Sequence, residues 1–285
     1  MNNMKKLFAV ILAMAMLCAF AGIGAHAEEE DPRIAEVQGI IAEYNATHGG
    51  TGALSASHTP GKGTSLIWRI TGEVTGATKG LALPYTSINW NATLTGETNG
   101  EAMLKGVSTI INSGEIKTNG LAIESHSVYV TQGSVSGSVA FRGYSIMMGG
   151  GTVVGDIRLA EDADFPDFSM SGGTFTGAVH CAKGSFSLSE NAVANVTTLT
   201  ANRANGSVYV SDKAQLHFIG DGPINVSGKM YISIRAKITG SGAKDLIKNA
   251  TLEYNHAYYP LKRLFQGPIV QFILHLIFSG KIMRG

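Results

Sequence analysis

The chain is poor in charge, proline and cysteine. Charged residues make up 15% of its 285 residues, against about 25% in ordinary soluble domains. Since 44% of the chain is hydrophobic, the deficit of charge does not describe a disordered polymer. Basic and acidic residues nearly cancel, 22 against 21, and no block of about five or six like charges occurs, so no nucleic-acid partner is expected. Prolines number 7 and glycine does not recur every third residue, which excludes collagen. There are two cysteines, Cys18 and Cys181, and the first falls in an expected leader, so the mature chain forms no internal disulfide and must rely on its core. What the chain has in excess is glycine, with 36 residues, where average usage is about 7%.

Residues 1–27 read as a signal peptide. Lys5 and Lys6 precede an apolar run from Leu7 to Ile23, and Ala25-His26-Ala27 offers an A-x-A cleavage site before three glutamates. The run is at the lower limit for crossing a bilayer and has no stop-transfer pattern after it. The expected location is therefore secreted or cell-surface, and the Lys-Lys start is of bacterial type.

A short motif then recurs. Gly72-Glu73-Val74-Thr75-Gly76 is echoed by Ala92–Gly96, Gly114–Lys117, Gly133–Gly137, Gly151–Gly155 and Gly173–Gly177. Weaker copies are read at Asn195–Thr198 and, with an insertion, at Gly222–Gly228. A fixed period of this kind marks a repeat architecture. Each period holds three short alternating stretches separated by Gly, Asn or Ser, and alternation sends every second side chain inward. The first inward column is Val74, Leu94, Ile116, Val135, Val153 and Phe175. The second runs from Leu81 and Leu83 through Ala102 and Leu104, Leu121 and Ile123, Val139 and Phe141, Ile157 and Leu159, to Val179 and Cys181. The third stacks Ile88 and Trp90, Val128 and Val130, Ile146 and Met148, Phe168 and Met170, Phe186 and Leu188, and Val208 and Val210.

Three inward columns joined by glycine-rich corners describe an all-β fold: a right-handed, three-sided parallel β-helix, or solenoid. A coil alone cannot bury its apolar edge, but stacking at about 4.8 Å aligns like residues into interior ladders. Each inward Val, Leu, Ile or Phe is then worth roughly 1.5 to 3 kcal/mol. An antiparallel sandwich would show two-residue Asn-Gly or Asp-Gly hairpins at the corners, and few fall there. The expected divisions are 1–27 signal peptide, 28–64 N-terminal segment, 65–254 coils and 255–285 tail. A capping helix is expected at about 32–45, with Asp31 as N-cap, Pro32 as first helical residue and Ile34, Val37, Ile40, Ile41 and Tyr44 as its apolar stripe.

On this repeat architecture, across about residues 65 to 255, the chain resembles the pectin-lyase-like parallel β-helix proteins of bacterial secretion and cell surfaces. That resemblance implies one of several roles, among them polysaccharide lyase, glycoside hydrolase, adhesin and binding module.

The outer face of the first strand row is the candidate binding site, with Glu73, Thr93, Thr95, Glu115, Ser134, Ser136, Thr174 and Thr176 pointing away from the core. Hydroxyls and carboxylates in rows suit a polysaccharide or a host or cell-surface glycan. Only Glu73 and Glu115 on this face are acidic, two rungs apart, a spacing compatible with an inverting glycosidase pair. No residue is assigned to catalysis, since the Asn-Thr-Asp and Asp-Asp signatures of polygalacturonase-like enzymes and the Arg-rich signature of pectate lyases are missing. A polysaccharide-degrading enzyme is the alternative to a binding or adhesion module. Asp162, Asp164 and Asp167 lie in an acidic insertion where weak Ca²⁺ binding is conceivable, without EF-hand or RTX spacing; no other cofactor is expected. His180 and Cys181 are neighbours in a strand and must face opposite ways, which rules them out as a nucleophile and base.

After Tyr254 the repeat stops. The tail, 255–285, holds the apolar run Ile269–Phe278 and four basic residues without an acid, and is expected to stand outside the solenoid, its composition pointing to membrane contact, self-association or a frame-disrupted gene end, with a C-terminal cap as the alternative.

Overall fold

The computed structural model describes residues 31–60, 66–84, 87–162, 166–203, 207–233, 235–249 and 251–253. The leader and the tail lie outside the described residues. Strands dominate, and they wind into a parallel β-solenoid of about eight turns preceded by a short helix. Three rows of strands form its sides.

The first row follows the expected column rung by rung. Val74 pairs with Leu94, Leu94 with Ile116, Ile116 with Val135, Val135 with Val153, and Val153 with Phe175. All six are buried. Beyond Phe175 the ladder continues through Ala194, Leu216 and Ile238. This corrects the later copies read from the sequence. The rung is Ala194 rather than a motif starting at Asn195, and Ile224–Val226 pairs with Leu199–Ala201 in the second row. The corner chemistry changes at that point. Three earlier corners turn on a glycine with positive φ, Gly114, Gly151 and Gly173, whereas the corner at Ser189–Ala192 turns on Glu190 with a positive φ of 53° and closes with Ala192 N–H donating to the Ser189 carbonyl. The glycine marker is lost while the coil persists.

In the third row the expected pairs stack from Ile88 and Trp90 to Val208 and Val210, and the ladder continues beyond them through Met230 and Ile232 to Leu252, while two earlier rungs join them. Trp68 and Ile70 precede Ile88 and Trp90, and Thr109 and Ile111 sit between them and Val128 and Val130. Thr109 is buried, and its hydroxyl finds no hydrogen-bond partner among the described residues. A polar residue in an apolar column hides a coil from a hydrophobic pattern.

The second row departs most from expectation. Leu81 stacks on Leu104, not on Ala102. Phe141 stacks on Ile157, and Leu159 falls opposite Gly143. The slip arises where the register shifts between Ser136 and Val139 and again before Phe141. Val139 is only half-buried, and Ala140 takes the interior position instead. Gly155 lies beside this bulge at φ 123°, where a Cβ would come within 1.9 Å of the Gly137 carbonyl oxygen, so no other residue fits.

The N-terminal helix α1 spans Pro32–Thr47. Its start is capped as expected, with Arg33 N–H donating to Asp31 Oδ1 at 3.0 Å. Ile34, Val37, Ile41 and Tyr44 are buried, whereas Ile40 is half-exposed. A strand that the sequence pattern missed follows it. β1 (Thr51–Pro60) pairs antiparallel with β2 (Leu66–Ala77) along its full length, from Thr51 opposite Thr75 to Pro60 opposite Leu66. Only Leu54 in β1 is buried, which is why no apolar alternation announces it. Late in the chain a short helix, α2 (Gly242–Asn249), buries Leu246.

Candidate functional site

Parallel pairing carries the first row's outward residues into two columns. In one, Glu73 stacks on Thr93, Thr93 on Glu115, Glu115 on Ser134, Ser134 on Thr152, and Thr152 on Thr174. In the other, Thr95 stacks on Lys117, Lys117 on Ser136, Ser136 on Val154, and Val154 on Thr176. All eight candidate binding residues therefore share one face, on five of six consecutive rungs that span about 24 Å at the usual strand spacing. Glu73 is exposed and the other seven are half-buried. Lys117 and an exposed Val154 interrupt the hydroxyls. Toward the C-terminal end the same columns carry Asn195, whose amide donates to Thr176 Oγ1 at 3.3 Å, and then His217, stacked on Asn195 and Thr239.

A depression of about 560 Å³ opens at the corner beside this face, lined by Thr95, Glu97, Glu115, Lys117 and Asn119 among others. Two of these, Thr95 and Glu115, belong to the expected site. Glu97 and Asn119 do not, although the sequence held a signal for them. They follow Thr95 and Lys117 by two residues on neighbouring rungs, and the Asn119 amide donates to Glu97 Oε1. This is a concave patch of carboxylate, ammonium and amide groups next to a hydroxyl ladder, and it can take and give hydrogen bonds to a polyhydroxylated ligand.

The acidic insertion is placed in part. Asp162 is exposed in a turn, and Asp164 lies outside the described residues. Asp167 begins a strand and accepts a hydrogen bond from Ser185 Oγ at 2.6 Å. Among the described residues no three His, Cys, Asp or Glu side chains gather as a metal would need.

His180 and Cys181 face opposite ways, as alternation requires. His180 lies outside, between Arg158 and Thr200, and Cys181 is fully buried beside Ala201. Burial, reinforced by the nearby Asp167 carboxylate, pushes the thiol up to about 12, so it is no nucleophile at neutral pH. The second row's outer face carries an ion-pair ladder that the sequence did not single out. Glu124 meets Arg142 at 3.1 Å and Lys105 at 3.8 Å, and Asp156 meets Arg158 at 3.3 Å. Exposed pairs of this kind contribute about 0 to 1 kcal/mol each.

No family model, curated protein or solved structure matches the chain. Among the described residues no helix is long and apolar enough to cross a membrane.

Proposed function

We propose that the protein is a secreted or cell-surface binding or adhesion module of the pectin-lyase-like kind, and that it holds a glycan or another surface against the outer face of the first strand row. The observation that carries this reading is the alignment of Glu73, Thr93, Thr95, Glu115, Ser134, Ser136, Thr174 and Thr176 in two columns on one face, with the depression at Thr95 and Glu115 beside them. A repeating polymer meets a repeating surface, so weak hydrogen bonds add along its length. The second reading, polysaccharide cleavage, draws on Glu73 and Glu115, which stand two rungs apart with Thr93 between them.

One experiment separates the two. The mature protein is applied to a glycan array and, in parallel, incubated with acidic and neutral polysaccharides while product ends are counted. The expected result is binding without turnover, weakened about tenfold, or ~1.4 kcal/mol, in a Thr95→Val, Ser136→Ala double variant. Turnover that Glu115→Gln abolishes would establish the enzyme instead, and an empty array without turnover would defeat both readings.

A further inference from the structure

The N-terminal end of the solenoid is closed by β1, whose inner edge is paired with β2 throughout. In an antiparallel pair, successive residues turn their backbone N–H and C=O groups alternately toward and away from the partner. Leu54 fixes which residues face away. Its N–H donates to Asn45 Oδ1 and its carbonyl accepts from Asn45 Nδ2, both at 2.8 Å, while the Gly52 carbonyl meets His48 Nε2 at 3.3 Å. Gly52, Leu54, Ala56 and His58 therefore present their backbone groups on the outer edge. There the Asn45 side-chain amide stands in for a further strand, and its reach ends at Leu54. Among the described residues, nothing meets the outward groups of Ala56 and His58.

Solenoid and sheet edges are ordinarily blunted by charge, proline or bulges. Thr51–Pro60 contains no Asp, Glu, Lys or Arg, and its pairing with β2 runs without a register shift. Pro60, which has no N–H, stops the open stretch on one side, and Asn45 stops it on the other.

We infer that this open half-edge is an interface for a second copy of the same chain, joined head to head by antiparallel β1 strands about a two-fold axis at Ser57. In that register Ala56 faces His58 of the second copy and His58 faces its Ala56, which satisfies four N–H and four C=O groups. A two-residue shift that brings Ala56 opposite Ala56 satisfies half as many, and the opposite shift sets the Pro60 ring, which has no N–H, against the Ala56 carbonyl of the second copy. Because the stretch is uncharged, the two copies meet without like-charge repulsion, and the isologous geometry closes at two.

At a position on the axis, Ser57 would lie opposite Ser57 of the second copy as a non-hydrogen-bonded pair, with Cα atoms about 4.5 Å apart, within reach of a disulfide. The Ser55 positions would be far apart. The full chain carrying Cys18→Ser and Ser57→Cys is oxidised and run on a non-reducing gel beside the chain carrying Cys18→Ser and Ser55→Cys. Cys181 is buried and does not compete. The expected result is a covalent dimer from Ser57→Cys and monomer from Ser55→Cys. Sedimentation of Ala56→Pro should in addition show a monomer where the unmodified chain shows a dimer. Proline is tolerated at an outward N–H of an edge strand, so the variant's melting temperature should stay unchanged. Equal cross-linking at both cysteines, no cross-linking at Ser57→Cys, or a dimer that survives Ala56→Pro would overturn the interface.

Discussion

Cys181 is the one free thiol among the described residues, and its environment makes it a reporter of stability. Its folded value is raised from an ordinary 9.0 to about 12, so the unfolded chain loses this proton first as pH rises. The contribution to stability is whole below pH ~9 and is lost progressively toward 12. Tyr44, raised from 10.0 to about 12 by burial, acts in the same direction. Urea midpoints between pH 8 and pH 11 should therefore fall more steeply in the parent chain than in Cys181→Ala, and identical slopes would contradict the buried thiol. Thr109 is the opposite case, a buried group that costs stability. Its hydroxyl has no partner among the described residues, and it stacks between Ile88 and Val128. Thr109→Val keeps the shape, removes the orphaned group and should stabilise by about 1 to 2 kcal/mol, read as a higher urea midpoint at constant m-value. The alternation that made Cys181 legible as inward is the same one that hid Thr109, because a hydrophobic pattern has no way to recognise a rung filled by a hydroxyl.

Rows and corners differ in how far their sequence betrays them. The first row was legible because a large apolar residue recurs at each rung from Val74 to Phe175. The eight outward positions beside it were legible for the same reason. In the second row, glycine bulges insert residues between rungs, and no count along the chain shows that Phe141 belongs with Ile157. β1 was invisible because Leu54 is its only buried residue. One pattern emerges only in three dimensions. At the corner after the third row, Thr131, Ser189 and Ser211 each turn a hydroxyl onto a third-row carbonyl of the preceding coil, those of Ile111, Met170 and Leu188. The register of the first row has a direct test. Val135→Asp puts a carboxylate into the interior ladder without a partner and should cost several kcal/mol, whereas Ser134→Asp, one residue away on the outer face, should change the melting temperature little. Equal tolerance at the two sites would mean that the row is inverted.

Each coil of the solenoid touches chiefly the coils before and after it, so stability resembles a sum of coils and interfaces with the ends least supported. Hydrogen exchange should follow that order, with the amides of the Val135, Phe141 and Phe175 rungs slowest and those of α2 among the fastest. A flat profile would show that the ends are fastened as firmly as the middle. The first-row ladder also bears on how such a gene can change length. Val135 lies between Ile116 and Val153, and all three are interior aliphatic residues. Excising residues 133–150 would remove one circuit of the chain and bring Ile116 directly under Val153, Glu115 under Thr152 and Lys117 under Val154, with every side chain still on its proper face. Cutting out half that length would leave the backbone on the wrong side of the molecule. Whole circuits are thus the natural currency of insertion and deletion in this protein, and shorter changes belong at its corners.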